Sequence, residues 1–243
     1  SGDAAERSDH PAAVLTVLCW KWGSKYAPEH VNALRRQVAR FYARPHRFVC
    51  VTNDPQGFDA DITVVPDPED FAALRSPHGA AFPACYRRLR MFAPDAAALF
   101  GERFVCIDID VVLVADVAPL WDRPEPFVAY RDPLHPTQFC GSMMLLKAGA
   151  LPVVWDGFNP ARSPSLARAA GFRGSDQAWI SFCARGAPTW GPTDGVYSYR
   201  KNVAGKGLPA GARVIVYHGS PKPWDVAAPA RTGGSLLHGC PAS

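Results

Sequence analysis

The run FVCIDIDVVLV at 104–114 sets two carboxylates, Asp108 and Asp110, two positions apart in an apolar strand. Like charges this close raise each other's pKa, and a hard divalent cation with oxygen ligands removes the conflict. Such a pair at the C-terminal end of a strand is a candidate Mg²⁺ or Mn²⁺ site, in the place where open α/β sheets bind ligands. Taken alone, a D-x-D triplet reads as readily as the acidic turn that ends a strand. The apolar residues before it and the motifs far downstream favour the metal.

The rest of the chain has the pattern of an α/β sheet. VLTVLCW at 14–20 is a near-continuous apolar run, as in a parallel strand buried on both faces. Val31, Leu34, Val38 and Phe41 then recur at helical spacing behind Pro28, which predicts a helix over 28–43. RFVCVT at 47–52 and DITVV at 61–65 read as the next strands, with turn chemistry at 53–57 between them. This alternation predicts a mostly parallel central sheet flanked by helices. Further along, the pattern predicts a helix over 86–99, interrupted near Pro94, and a single strand over 104–114. Short strands follow at 127–130 and 139–146, a helix at 176–185 and a last strand at 213–217. The five glycines of 191–211 read as an ordered loop, either a lid that closes over a bound ligand with Tyr197, Tyr199, Arg200 and Lys201 or a plain surface connection.

With 243 residues and 48% hydrophobic content, the chain can bury a large core, which bounds it to one main domain. A formal charge of +4 is too slight for nucleic acid, yet suits an anionic ligand or peripheral contact with a membrane surface. No apolar stretch approaches the ~18 residues of a membrane span. The seven cysteines lack C-x-x-C spacing, and Cys19, Cys50, Cys106 and Cys183 lie in apolar runs. The expectation is a reduced, cytoplasmic protein without structural zinc.

The last strand delivers HGSPKPW at 218–224. Gly219 lets backbone approach a ligand closely, Lys222 is a compact charge suited to phosphate, and neutral His218 can complete a metal shell. As a purely structural segment, the same residues would be a turn, a solvated lysine and a packing tryptophan. Joined to Asp108 and Asp110, they describe a site where metal and lysine together neutralise a diphosphate.

In motif order, the D-x-D after an apolar strand, the Asp176-Gln177 pair and G-x-x-K-P-W after the last strand resemble the family-8 retaining glycosyltransferases. The resemblance spans most of 14–224. It implies a single GT-A-type nucleotide-sugar-binding domain over 12–228, with a flexible start at 1–11 and a tail at 229–243. It further implies transfer of a hexose from a nucleotide-sugar donor, UDP-sugar favoured, with retention. The acceptor stays open among glycan, lipid-linked and protein classes.

Residue by residue, the resemblance implies that Asp108, Asp110 and His218 hold Mn²⁺ or Mg²⁺, and that Asp176 and Gln177 lie beside the anomeric carbon. Trp20, Trp22 and Tyr26 match the nucleotide-base loop. Arg88, in Tyr86-Arg87-Arg88-Leu89, would reach the donor sugar or its phosphates. Gly219, Lys222 and Trp224 match the diphosphate-binding tail, and FCGSMMLL at 139–146 matches the strand lining the sugar pocket. Two departures stand out. The family's tail histidine usually precedes the glycine by three residues, where this chain has Val216, and the family's pocket asparagine is replaced by Cys140-Gly141-Ser142. Two other readings compete: a haloacid-dehalogenase-like phosphohydrolase, whose nucleophile strand also carries D-x-D, and a non-catalytic sugar-nucleotide or glycan-binding module.

Overall fold

The computed structural model describes residues 14–230. The expected flexible start at 1–11 and most of the 229–243 tail lie outside the described residues. Along the chain come β1 (Leu15–Trp20), helix α1 (Pro28–Phe41), β2 (His46–Val51), β3 (Thr63–Val65), a 3₁₀ turn at Tyr86–Phe92, α2 (Ala96–Phe100), β4 (Arg103–Ile107) and β5 (Val111–Leu113). The second half adds α3 (Ala118–Trp121), β6 (Phe127–Arg131), β7 (Phe139–Lys147), α4 (Val153–Asp156), α5 (Ser163–Ala169) and α6 (Asp176–Cys183). Three short strands close the order: β8 (Thr189–Trp190), β9 (Val196–Ser198) and β10 (Val214–Val216).

The main sheet has seven strands in the order β3-β2-β1-β4-β7-β6-β8, and a smaller one runs β5-β10-β9. β3, β2, β1 and β4 are mutually parallel, and β7 enters antiparallel between β4 and β6. From β1 the chain winds outward to β2 and β3, then returns to place β4 on the other side of β1. The strand order therefore reverses at β1/β4, the switch point where crossing connections diverge and leave a crevice at the strands' C-terminal ends.

The sheet is covered on both faces, as the apolar run in β1 requires. Leu15, Val17 and Cys19 pack with Val31, Leu34 and Val38 of α1. Leu18 and Trp20 point the other way, among Leu89, Phe92, Phe100, Trp179 and Ile180. Period-2 alternation thus feeds two cores from one fully buried strand.

Several expectations change in detail. The run at 104–114 is two strands in different sheets, because the chain turns at the acidic triplet, where Val111 N–H donates to the Asp108 carbonyl at 3.1 Å. The predicted helix at 86–99 divides into the 3₁₀ turn and α2, since Pro94 has no N–H to continue the ladder. Residues 191–211 hold β9, paired in parallel with β10, followed by a π-helical turn at Tyr199–Val203. Tyr199 stacks on Tyr217 at 4.4 Å between ring centroids, which packs this stretch against the residue that follows β10. α3, α4 and α5 were not foreseen, being too short to show a helical period.

Leu18 is fully buried in the strand that both cores share. Leu18→Ala is expected to lower unfolding stability by about 2–5 kcal/mol, read from urea denaturation with an unchanged m-value.

Candidate functional site

The crevice at the β1/β4 switch point opens into a cavity of about 710 Å³. The 3₁₀ turn after Cys85 sends Arg88 into its wall, where the side chain is only 6% exposed. Its Nε donates to Asp176 Oδ2 at 2.8 Å, and Nη1 donates to Asp108 Oδ1 at 2.8 Å and to the Gly141 carbonyl at 3.0 Å. One guanidinium thus joins the end of β4, the start of β7 and the first turn of α6. Gly141 is required for this approach: a Cβ there would lie 2.3 Å from Arg88 Nη2. Burial pushes the guanidinium pKa down, but Asp176 and Asp108 carry it well above the ordinary value, so Arg88 is a permanent cation.

Asp108 feels the opposite balance. Desolvation raises its carboxyl above the ordinary value, Arg88 pulls it down, and Asp110 pushes it up again. Asp108 N–H donates to the Ser142 carbonyl at 3.0 Å, because β7 runs antiparallel beside β4 and brings Ser142 to the acidic turn. Asp176 is the first residue of α6, with Ser175 at the cap position. Its side chain serves Arg88 instead of capping the helix. Gln177 Oε1 accepts from Gly141 N–H at 3.1 Å, and its Nε2 donates to the Arg173 carbonyl at 3.1 Å.

The second carboxylate of the triplet has its own cation. Asp110 is 5% exposed, and its Oδ2 accepts from Lys222 Nζ and from Tyr26 Oη, the latter at 3.0 Å. β10 pairs antiparallel with β5, directly after the acidic turn, which is how the chain's last strand returns residues 217–222 to Asp110. His218 Nε2 shares a hydrogen bond with Ser198 Oγ at 2.8 Å. Burial first, then the nearby Arg200 cation, holds its pKa below the ordinary value, so the imidazole is neutral at pH ~7.

Of the residues singled out from sequence, Trp20, Trp22, Tyr26, Arg88, Asp108, Asp110, Asp176, Gln177, His218, Gly219 and Lys222 all line this cavity. Trp224 does not: it stacks on His30 at 3.7 Å outside the lining. Trp20 ends β1 and packs against Phe100 at 5.9 Å as part of the cavity floor, so it belongs to the strand and not to the loop that follows. Tyr26 spends its hydroxyl on Asp110 and sets its ring edge against Trp224 at 5.7 Å. Tyr199, Arg200 and Lys201 lie off the lining, with Lys201 Nζ donating to the Pro133 carbonyl at 2.8 Å.

The strand at 139–146 does contribute Cys140, Gly141 and Ser142 to the lining, whereas sequence reasoning missed His78, Phe82, Cys85 and Arg173. The loop before Arg88 carries no periodic signal. Cys85 and Ser142 enter through neighbours distant in the chain: Cys85 N–H donates to Ser175 Oγ at 2.8 Å. Burial pushes the Cys85 thiol up to about 12, which leaves it protonated and excludes it as a thiolate nucleophile.

The paired carboxylates present the hard oxygen donors that Mg²⁺ and Mn²⁺ prefer, and Asp110 already holds a cation in the form of the Lys222 ammonium. The donor chemistry at Asp108 and Asp110 therefore fits a divalent ion. Among the described residues, no three His, Cys, Asp or Glu side chains close into one metal-holding group.

No protein-family model matches the sequence, and no curated protein matches it. The fold does match solved structures. The chain superposes on the galactosyltransferase LgtC, solved with donor and acceptor sugar analogs, at TM-score 0.57 and 15% identity, covering 86% of this chain and 89% of that one. Mouse xyloside xylosyltransferase 1 matches at TM-score 0.52 and 11% identity, over 85% of this chain and 97% of that one. The bifunctional glycosyltransferase WbbM matches at TM-score 0.54 and 14% identity, over 88% of this chain and 47% of that one. At these identities the likeness is one of fold, and the fold is the GT-A type expected from the motifs.

Arg88→Met removes the cation shared by Asp108 and Asp176, and the loss of one partner from a buried ion network costs about 3–5 kcal/mol. A carboxyl whose folded pKa lies above its unfolded value binds more protons when folded, so its favourable contribution is lost as pH rises through the folded pKa. Without Arg88, the largest influence that lowers Asp108 is gone, the Ser142 hydrogen bond remains, and the carboxyl pKa climbs further above its ordinary value. The variant's stability deficit is expected to be largest at pH ~7 and to narrow toward pH ~4, read from urea midpoints across that range.

Proposed function

We propose that this chain is a metal-dependent glycosyltransferase that moves a hexose from a nucleotide-sugar donor, UDP-sugar favoured, to an acceptor with retention of anomeric configuration, within a domain spanning 12–228. The observation that carries this reading is the single cavity in which Arg88 ties Asp108 to Asp176 while Lys222 sits on Asp110. A volume of about 710 Å³ suits a ligand of sugar-nucleotide size. The shared fold with glycosyltransferases of known structure, one of them solved with sugar analogs, supports the same class.

Asp108 and Asp110 are the residues that would hold the divalent ion, and His218 would join them only by giving up its hydrogen bond to Ser198 Oγ. When bound, the ion supplies positive charge to the departing diphosphate. The chain's own contribution begins with fixed cations. Lys222 meets the diphosphate as a compact charge, and Arg88, already held by Asp108 and Asp176, adds its charge without reorganising as negative charge develops. Each ~1.4 kcal/mol of such stabilisation is a tenfold gain in rate. Around the anomeric carbon, Asp176 and Gln177 oppose the oxocarbenium-like charge. Asp176 works from behind Arg88, which it orients, and the Gln177 amide works from the cavity wall. Gly219, at φ +70°, makes the turn that leads into Lys222.

A reduced, cytoplasmic setting goes with this reading. The six described cysteines are free, including Cys19 and Cys50, which lie opposite one another on paired strands. No helix among the described residues is long and apolar enough to cross a membrane. The fold shared with glycosyltransferases of known structure supports this reading over the phosphohydrolase one.

In the free chain Lys222 and a divalent ion compete for Asp110, and a diphosphate resolves the competition by drawing the lysine away. UDP and Mn²⁺ together are therefore expected to raise the melting temperature by more than the sum of their separate shifts. The absence of a joint shift with any of UDP, GDP, ADP or CMP would overturn the reading. Asp110→Ala should erase the Mn²⁺-dependent part of that shift, while Lys222→Ala should weaken UDP more than Mn²⁺. Full Mn²⁺-dependent turnover by Asp110→Ala would show the metal assignment to be wrong.

A further inference from the structure

Resting on the glycosyltransferase reading, we propose that the cavity mouth built by Arg173, His78 and Phe82 is the acceptor subsite, and that it takes a sugar bearing a carboxylate or phosphate. Arg173 is exposed on the cavity lining, yet its backbone is clamped from three directions. Buried Gln138 accepts from Arg173 N–H at 2.8 Å and donates to its carbonyl at 3.1 Å, and Gln177 donates to the same carbonyl at 3.1 Å. Gln138 is fixed in turn by Asp132, at 3.0 Å. A long cationic side chain is thus launched from an immobile base, the arrangement that lowers the ordering cost of binding.

Nothing in the cavity neutralises that cation. The three lining carboxylates are engaged, Asp108 and Asp176 by Arg88 and Asp110 by Lys222. Among the described residues, no carboxylate pairs with Arg173 or with neighbouring Arg168, whose Nη1 donates to the Pro77 carbonyl at 2.8 Å. Both guanidiniums act on His78, whose imidazole is held below its ordinary pKa by burial first and by these two cations next. His78 Nε2 accepts from Gly174 N–H at 3.2 Å, which fastens the loop before Cys85 to the approach to α6.

The remaining surface of the mouth is apolar. Phe82 is 57% exposed and meets the His78 ring at 5.9 Å, presenting a face to which the C–H groups of a pyranose can pack. A guanidinium and an exposed aromatic ring lining the same cavity offer a bidentate partner for an anion and a surface for a sugar ring. The donor's own phosphates have their cations in Lys222 and Arg88, which leaves Arg173 for the second substrate.

The test titrates three probes into the full chain with UDP and Mn²⁺ present: a glucuronate-terminated disaccharide, its glucose-terminated counterpart and glucose 6-phosphate. Saturation-transfer NMR reads affinity, for the wild type, Arg173→Ala and Phe82→Ala. An anionic probe is expected to bind about tenfold tighter than the neutral one, as a charge-assisted hydrogen bond implies. Arg173→Ala should erase that preference with UDP affinity unchanged, and Phe82→Ala should weaken all probes alike. The glucuronate and phosphate arms separate the two sources of the anion. Equal binding of neutral and anionic probes, or an equal loss of UDP affinity in Arg173→Ala, would overturn the proposal. If UDP itself does not bind, the donor reading fails and the titration is repeated without nucleotide. An Arg173-dependent anion preference then retains the sugar site, and its absence removes both.

Discussion

A buried guanidinium between two carboxylates holds the site together. Arg88, Asp108 and Asp176 come from a 3₁₀ turn, a strand end and a helix start that are 20 and 88 positions apart in the chain. Removing charges from water is costly, and the cost is offset only where geometry and hydrogen bonding are complete. Here the fit depends on a missing side chain, since the Gly141 carbonyl accepts from Nη1 at a position where any Cβ would collide with Nη2. The charge network, the bare strand and the helix start are therefore one unit, and disturbing any of them disturbs the cavity wall.

Sheet topology decides which ends meet. Because β4 returns beside β1, their C-terminal ends flank the crevice. Because β7 then enters antiparallel, its start, not its end, lies against the acidic turn, and Gly141 and Ser142 become lining residues. The small sheet performs the matching task for the tail, using β5 as the edge on which β10 docks. The same turn at 108–110 that divides one apolar run into two strands thus connects two sheets and carries the two carboxylates between them.

Much of this was legible in the amino-acid order. The unbroken apolar run in β1 announced a strand covered on both faces, and the spacing of Val31, Leu34 and Val38 announced the helix that covers one of them. The acidic triplet and the HGSPKPW tail named residues that do share a cavity, because like charges and a lysine after a glycine turn need partners wherever the chain puts them. The short helices α3, α4 and α5 and the strands β8 and β9 escaped, since a period cannot be counted over one turn or two, or over a single pleat. Trp224, in the same tail, stacks on His30 and meets the edge of Tyr26, a placement that rests on two rings from another part of the chain.

The sequence by itself determined the class of sheet, the covering helices and the charge-bearing groups, because periodicity and local chemistry are written in adjacent residues. Only the tertiary structure decided how those charges pair. It gave Arg88 to Asp108 and Asp176, gave Lys222 to Asp110, and left Arg173 clamped and unneutralised at the cavity mouth. Pairing of this kind depends on distances between segments far apart in the chain, set by strand order and register, and a one-dimensional pattern carries no such distance.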